Sequence, residues 1–342
     1  MVTYDNPIFY KLHKMIDKRK IDHLRICIEK EVEAGNTGFA EIYLQHKALP
    51  EIDFDKIDMS TKFLGKKLNF PIIIEGMSGG VSDAKKLNKE LAGIAQEYGI
   101  GFGVGSQRIA IENPEMADGF YVRDVAPDIF LIANLGAVQL NYGYSLKECK
   151  RAIEMIEADV LALHMNPLQE VIQPEGNKNF SGLIEKINSI SKKLQEPLMM
   201  KCVGSGISYD IAKKLRVSAI DVGGSGGTSW SLIESYRGND ETRNIGKAFA
   251  GWGIPTAESI KEISKMNIPI IASGGIRDGI NAAKAIALGS DCVGMALPIL
   301  RAWSYHGIDG VKKFLDQFIM ELRICMFLTG SKTVNELKGK TR

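Results

Sequence analysis

Net charge is almost absent from this 342-residue chain: 43 Lys+Arg against 41 Asp+Glu leave +2. That balance excludes the basic excess of a nucleic-acid binder. Long apolar runs are missing too, since no stretch approaches the roughly 18 residues of a membrane span. The Met1-Val2-Thr3-Tyr4-Asp5 start has no basic stretch leading into an apolar core, so a cytoplasmic protein without a membrane partner is expected. Cysteine is sparse. Cys27, Cys149, Cys202, Cys292 and Cys325 are scattered, odd in number and without a C-x-x-C pair, which argues against a disulfide framework or a zinc site. Low-complexity tracts are lacking, as is any G-x-G-x-x-G opening a helix. With 45% hydrophobic and 25% charged residues, disorder and collagen are also poor fits.

What the chain has in excess is glycine, 35 residues, or about 10% against about 7% on average. From Phe70 onward, eight apolar or β-branched runs recur: 71–77, 100–105, 129–136, 160–166, 198–204, 219–224, 268–275 and 292–298. Continuous rather than alternating apolar runs indicate strands buried on both faces, as in a parallel sheet. Amphipathic segments at 83–98, 145–158, 183–194, 209–215, 257–266 and 280–288 supply crossover helices. The expected fold is α/β, a (β/α)8 TIM barrel with an N-terminal extension. Its divisions are an extension or lid over 1–70, a barrel over 71–330 and a tail over 331–342. The extension contains a basic helix-compatible stretch at 10–30 and a short extended stretch near 41–45. A doubly wound sheet is the competing architecture. The sixth unit is long, which places a loop insertion between Gly226 and Pro255.

Seven of the eight runs contain or meet glycine near the carboxyl end, where barrels carry their chemistry. So many glycines at one rim point to a broad planar ligand. After the seventh and eighth runs, Ser273-Gly274-Gly275-Ile276-Arg277 and Gly294-Met295-Ala296-Leu297 offer amides and a guanidinium for a phosphate. Lys201 lies inside the fifth run, where a buried ammonium needs an anionic or electron-rich partner; a flavin edge would serve. The fourth run ends without glycine in His164-Met165-Asn166-Pro167-Leu168-Gln169-Glu170, a donor set compatible with a hard cation such as Mg²⁺. Lys18-Arg19-Lys20 with His23 form either an exposed helix face or a basic segment able to close over a diphosphate.

Taken together, these motifs resemble the type 2, FMN-dependent isopentenyl-diphosphate delta-isomerases. The resemblance runs from Arg19 to about Pro298. It rests on Arg19-Lys20-Ile21-Asp22-His23, Gly76-Met77-Ser78-Gly79-Gly80, Gly105-Ser106-Gln107-Arg108, Ala133-Asn134-Leu135-Gly136-Ala137, His164-Met165-Asn166 with Gln169-Glu170, Gln173-Pro174-Glu175-Gly176, and Gly226-Gly227-Thr228-Ser229-Trp230 followed by Glu234. It implies flavin contacts from Met77, Ser78, Gly79, Gly80, Ser106, Asn134, Lys201 and Thr228, and a phosphate held by Gly275, Ile276, Arg277, Ala296 and Leu297. Arg19, Lys20, Ser106, Gln107 and Arg108 would bind the substrate diphosphate. Gln169 would contact the substrate, and Glu170 would hold Mg²⁺. Gly223 stands where many members place a flavin-contacting serine, and Cys202 and Asn177 stand where acidic residues are frequent.

The activity the resemblance implies is an allylic proton shift between isopentenyl and dimethylallyl diphosphates on reduced FMN. Gln169 and His164 would orient or relay protons, NAD(P)H would prime the flavin, and the protein would be a homo-oligomer, a tetramer or octamer. The rival is an FMN-dependent oxidoreductase of the α-hydroxy-acid oxidase or dihydroorotate dehydrogenase type. Those need a base for hydride abstraction and a carboxylate clamp. An inosine-monophosphate-dehydrogenase-like route would need a cysteine within Ser225–Trp230, which has none. A non-catalytic flavin- or phosphate-binding protein is the third reading.

Overall fold

A computed structural model describes residues 18–77 and 82–342, apart from the side chains of residues 18, 19, 82 and 83. The expectations for Arg19 as a ligand, for Ser78, Gly79 and Gly80, and for residues 10–17 therefore lie outside the described residues. The helix Lys18–Glu29 leads in. An antiparallel hairpin follows, Thr61–Phe63 (β1) with Lys66–Leu68 (β2). Its turn places both Leu64 (φ 44°) and Gly65 (φ 88°) in the left-handed region, the geometry that suits the twist of a tight hairpin.

Among the described residues, eight parallel strands then close into a barrel: Ile72–Ile74 (β3), Gly101–Gly103 (β4), Leu131–Gly136 (β5), Val160–Met165 (β6), Leu198–Cys202 (β7), Ala219–Asp221 (β8), Ile270–Ala272 (β9) and Cys292–Met295 (β10). β10 returns to pair with β3. All eight lie within the apolar runs of the sequence. The closed ring excludes the doubly wound alternative. Helices cover the outside, because alternate strand residues face outward and require it. Thus Ile72, Ile74, Met200 and Ile220 pack with Leu87, Leu91, Ile187 and Ile260 of the surrounding helices.

The inward residues form a separate cluster. Ile73, Ile132, Val160, Ala162, Met199, Ala219, Ile271 and Cys292 meet Phe63 and Leu68 of the hairpin, and Phe63 stacks edge-on to Phe130. The hairpin therefore plugs the amino-terminal end of the barrel and leaves the carboxyl-terminal mouth for chemistry.

One expectation needs correction. The insertion at 226–255 is a helical pair, Trp230–Arg237 and Asp240–Ala248, rather than a loop; Ser229 and Asn239 cap the two helices by accepting from Leu232 N and Thr242 N. The short stretch near 41–45 is extended from Ile42, after a 3-10 turn at Phe39–Glu41, and forms a bridge from Leu44 to Thr341. The helix that the (β/α)8 pattern requires after the eighth strand, which no amphipathic segment marks in the sequence, is Leu297–Leu328, with a break at Gly307 (φ 61°). All five cysteines are buried and free. No helix among the described residues is long and apolar enough to cross a membrane.

Candidate active site at the barrel mouth

Two residues beyond each inward apolar position, strand alternation brings the next side chain to the same interior face. From Ile73, Ile132, Ala162, Met199, Ala219 and Ile271, that step reaches Glu75, Asn134, His164, Lys201, Asp221 and Ser273. A polar layer therefore sits directly on the apolar plug.

Its centre is an ion cluster. Lys201 Nζ donates to Glu75 Oε2 at 2.8 Å and to Asp221 Oδ2. Asp221 Oδ1 accepts from Ser273 Oγ at 2.5 Å and from Gly223 N at 3.2 Å. Burial works against the Lys201 charge, but Asp221 and then Glu75 hold the ammonium above its ordinary value. Burial pushes the Glu75 carboxyl up to about 7 against the pull of Lys201. The anionic partner that Lys201 needs is thus supplied by the protein, where the sequence reading looked to a flavin edge. Glu75 and Asp221 went unread, although a charge inside an apolar strand is the same signal that singled out Lys201.

His164 is held from the side. Its Nδ1–H donates to Asn134 Oδ1 at 2.7 Å, a tautomer that follows because Asn134 Nδ2 donates to Val104 O. Burial, then Lys201, lower the imidazole to about 4, so the ring is neutral near pH 7. Gln107 differs from expectation. Its side chain is fully buried behind this wall, accepting from Asn134 N and donating to Ala152 O.

Two cavities of about 330 and 130 Å³ open above the polar layer and share His23, Gly76, Met77, Lys201, Val203 and Trp230. The smaller one is the glycine-rich lobe. Thr228, Gly275, Arg277, Ala296 and Leu297 line it. At Gly294 a Cβ would come within 2.4 Å of Glu75 Oε1, so any larger residue there would displace the Glu75 carboxyl. The helix starting at Leu297 has no side-chain cap at Ala296. The N–H groups of Gly275, Ile276 and Arg277 donate to no backbone carbonyl among the described residues. Unclaimed loop amides beside the uncapped start of the Leu297 helix can hold an anion, so this lobe fits the phosphate end of a flavin mononucleotide. Ile276 is buried in the core, so it offers the lobe only its backbone amide, the group the sequence suggests there for a phosphate. The Arg277 guanidinium is already engaged by Glu33 and by Ile276 O.

The larger lobe is polar. Lys20 Nζ donates to Ser106 O at 3.3 Å and lies 5.3 Å from the Phe120 ring centre. Arg108 reaches Glu112 and Asn177 Oδ1, the latter shared with Gln139. Glu170 accepts from Gln173 Nε2 and Asn177 N, which places one carboxylate among amides. Gln169 is locked at both ends: its Oε1 accepts from Asn166 Nδ2 at 2.6 Å and its Nε2 donates to Glu234 Oε1 at 2.9 Å. Glu234 is buried and also bonds His23 Nε2 and Arg237. Burial works against that charge, but His23, Gln169 and Arg237 hold the carboxyl below its ordinary value. The helical insertion thus delivers the anchor for Gln169, and Trp230 from the same helix meets His23 edge-on at 5.1 Å.

With this geometry in place, three comparisons are informative. A family model described as FMN-dependent dehydrogenase matches residues 147–341. The chain is 49% identical over 328 residues to an isopentenyl-diphosphate delta-isomerase of Nostoc sp., covering 94% of this chain and 93% of that one. It is 48% identical over 333 residues to the protein of the same name from Pyrococcus abyssi, covering 94% and 90%. Among solved structures, a flavocytochrome b2 variant with pyruvate bound aligns at TM-score 0.65 and 17% identity over 94% of this chain and 82% of that one. A mandelate oxidase variant with a monooxide FMN adduct aligns at 0.59 and 16% over 99% and 96%. At such identity these structures speak to the fold alone.

Proposed function

Because the chain belongs to the isopentenyl-diphosphate delta-isomerase family and to the FMN-dependent dehydrogenase family, we propose that it interconverts isopentenyl and dimethylallyl diphosphates with bound FMN and Mg²⁺. One observation carries the reading beyond family membership. A glycine-rich lobe with free amides and a polar lobe flanked by Lys20 and Arg108 share one wall, so a flavin and a diphosphate ester would meet there.

Gly275, the Ile276 and Arg277 amides, Ala296 and Leu297 would hold the flavin phosphate. Met77, Thr228 and Lys201 would face the ring, and Ser106 and Asn134 lie across the junction. Reduced FMN supplies an electron-rich ring able to exchange protons with an alkene, the hard chemistry of the reaction. The protein's part is positional and electrostatic. Lys20 and Arg108 offset diphosphate charge. Gln169, fixed by Asn166 and Glu234, presents a polar edge that neither gains nor loses a proton near pH 7. His164 is neutral and donates its Nδ1–H to Asn134, so its Nε2 is left as a hydrogen-bond acceptor toward the cavity. Among the described residues no three His, Cys, Asp or Glu side chains cluster as a metal site. A lone Glu170 with neighbouring amides suits Mg²⁺ that arrives on the diphosphate and keeps much of its water.

NAD(P)H would reduce the flavin before turnover, the protein would work in the cytoplasm, and the exposed Phe249 and Trp252 of the insertion supply an apolar face for a tetramer or octamer. The test is an anaerobic assay with isopentenyl diphosphate, Mg²⁺ and FMN reduced once. Dimethylallyl diphosphate should accumulate over many turnovers without further reductant. Product limited to the reducing equivalents supplied would instead identify an oxidoreductase.

A further inference from the structure

Glu75, Lys201 and Asp221 place two carboxylates against one ammonium in a layer where the three residues are only 5%, 8% and 0% exposed. Asp221 has donors on both oxygens, from Ser273, Gly223 and Lys201. Glu75 does not. Its Oε2 accepts from Lys201, while its Oε1 is buried without any partner. Glu75 lines the glycine-rich lobe, and its orphan oxygen lies against Gly294, in the space left by that residue's missing Cβ. A buried carboxylate oxygen with no donor is costly, and an unbalanced buried charge more so. A proton on Oε1 removes both costs and turns the orphan acceptor into a donor at the wall of the lobe that Glu75 lines.

We propose that Glu75 carries a proton when FMN is bound and donates it as a hydrogen bond from Oε1 to an acceptor atom of the flavin. The proposal deepens the flavin reading and rests on it. With Glu75 neutral, Lys201 and Asp221 balance each other, and the floor of the lobe adds no negative charge beneath an already anionic cofactor. Glu75 is the member of the pair that takes the proton because Asp221 has three donors and Glu75 one; the upward push of burial on the Glu75 carboxyl agrees with this. The other groups facing the cluster are His164 on β6, Cys202 on β7, and His23, Cys27 and Arg277 around the lobe. Burial raises the Cys27 and Cys202 thiols to about 12 and 11, so neither ionises near neutral pH, and the Arg277 guanidinium is paired with Glu33.

The test is the dissociation constant of oxidised FMN, followed by quenching of flavin fluorescence from pH 6 to pH 9, for wild type, Glu75→Gln and Glu75→Ala. Glutamine keeps the donor and cannot ionise. Glu75→Gln should bind within about threefold of wild type at pH 6 and hold that affinity at pH 9. Wild type should weaken above neutrality by up to about tenfold per pH unit relative to Glu75→Gln, a difference that isolates Glu75 from His23 and from the flavin phosphate. Glu75→Ala should bind worse than both at pH 6. Parallel wild-type and Glu75→Gln profiles, or Glu75→Gln as weak as Glu75→Ala at pH 6, would overturn the assignment. Should the variants not fold, the infrared difference spectrum of wild type on adding FMN decides: a protonated-carboxyl stretch that shifts with flavin supports the proposal, and its absence refutes it. Failure of wild type to bind FMN at any pH would remove the flavin reading and this proposal together, whereas binding with parallel profiles removes only the role of Glu75.

Discussion

Lys201 answers to two carboxylates, so its removal costs more than a cofactor contact. Lys201→Ala leaves Glu75 and Asp221 buried without their cation, and breaking a buried pair from one side typically costs about 3–5 kcal/mol. Thermal melts should show that loss, and flavin retention and turnover should fall together; full flavin occupancy with unchanged turnover would contradict the role. The same layer gives two opposed pH dependences in the apoprotein. Burial and Lys201 depress His164 to about 4 in the fold. Its contribution is therefore intact above its unfolded value of about 6.5 and is lost as pH falls through about 4, on the order of 3 kcal/mol. Glu75 is raised to about 7, so its contribution is intact below its unfolded value of about 4.3 and is lost as pH rises through about 7. Urea titrations from pH 4 to pH 8 should show a shallower acid loss in His164→Gln and a shallower loss toward neutrality in Glu75→Gln. Identical slopes in wild type and both variants would exclude these assignments. Gln107 is a subtler case, because it touches Asn134 rather than the cavity. The sequence reading grouped it with its neighbours Ser106 and Arg108, and adjacency along the chain says nothing about which way a loop residue turns.

Among the elements, the eight barrel strands were legible because two-sided burial leaves a continuous apolar run. The insertion was not. Asp240–Ala248 has a single large aliphatic residue, Ile245, and lacks the stripe that announces a helix, so only its caps at Ser229 and Asn239 could have marked the pair. Leu297–Leu328 is obscured by Pro298, Gly307 and Gly310, three residues that ordinarily punctuate helices. Because the insertion brings Glu234 to Gln169, its cap has a functional consequence. Ser229→Ala should cost about 1 kcal/mol and raise proteolytic cleavage within 230–248 before it lowers the global melting temperature. At the other end of the barrel, Phe63→Ala opens the plug against Phe130 and should cost about 3–5 kcal/mol in a denaturant titration, with flavin affinity retained in the folded fraction. Loss of flavin affinity without loss of stability would mean that the two ends are coupled in some other way.

Across the whole molecule, one alternation rule accounts for both the apolar plug and the polar layer above it. The positions of Asn134, His164 and Lys201 could therefore be read from the strands, while the pairing of Glu75 and Asp221 with Lys201 required the closed ring to bring β3, β7 and β8 around one axis. The anchor of Gln169 on Glu234 likewise spans 65 residues of chain, and local pattern could not supply it. A barrel mouth that binds FMN only when folded should be stabilised by it, by about 2.7 kcal/mol at a free concentration one hundred times the dissociation constant. The measurement that bears most directly on the account is isotope exchange in deuterated water with reduced FMN, Mg²⁺ and isopentenyl diphosphate, followed by proton and deuterium NMR. Deuterium should enter the allylic methyl groups of dimethylallyl diphosphate and return to recovered isopentenyl diphosphate, while the reduced flavin is conserved. Isopentenyl diphosphate recovered unlabelled from a protein saturated with reduced flavin would contradict the assignment of this cavity to allylic proton transfer.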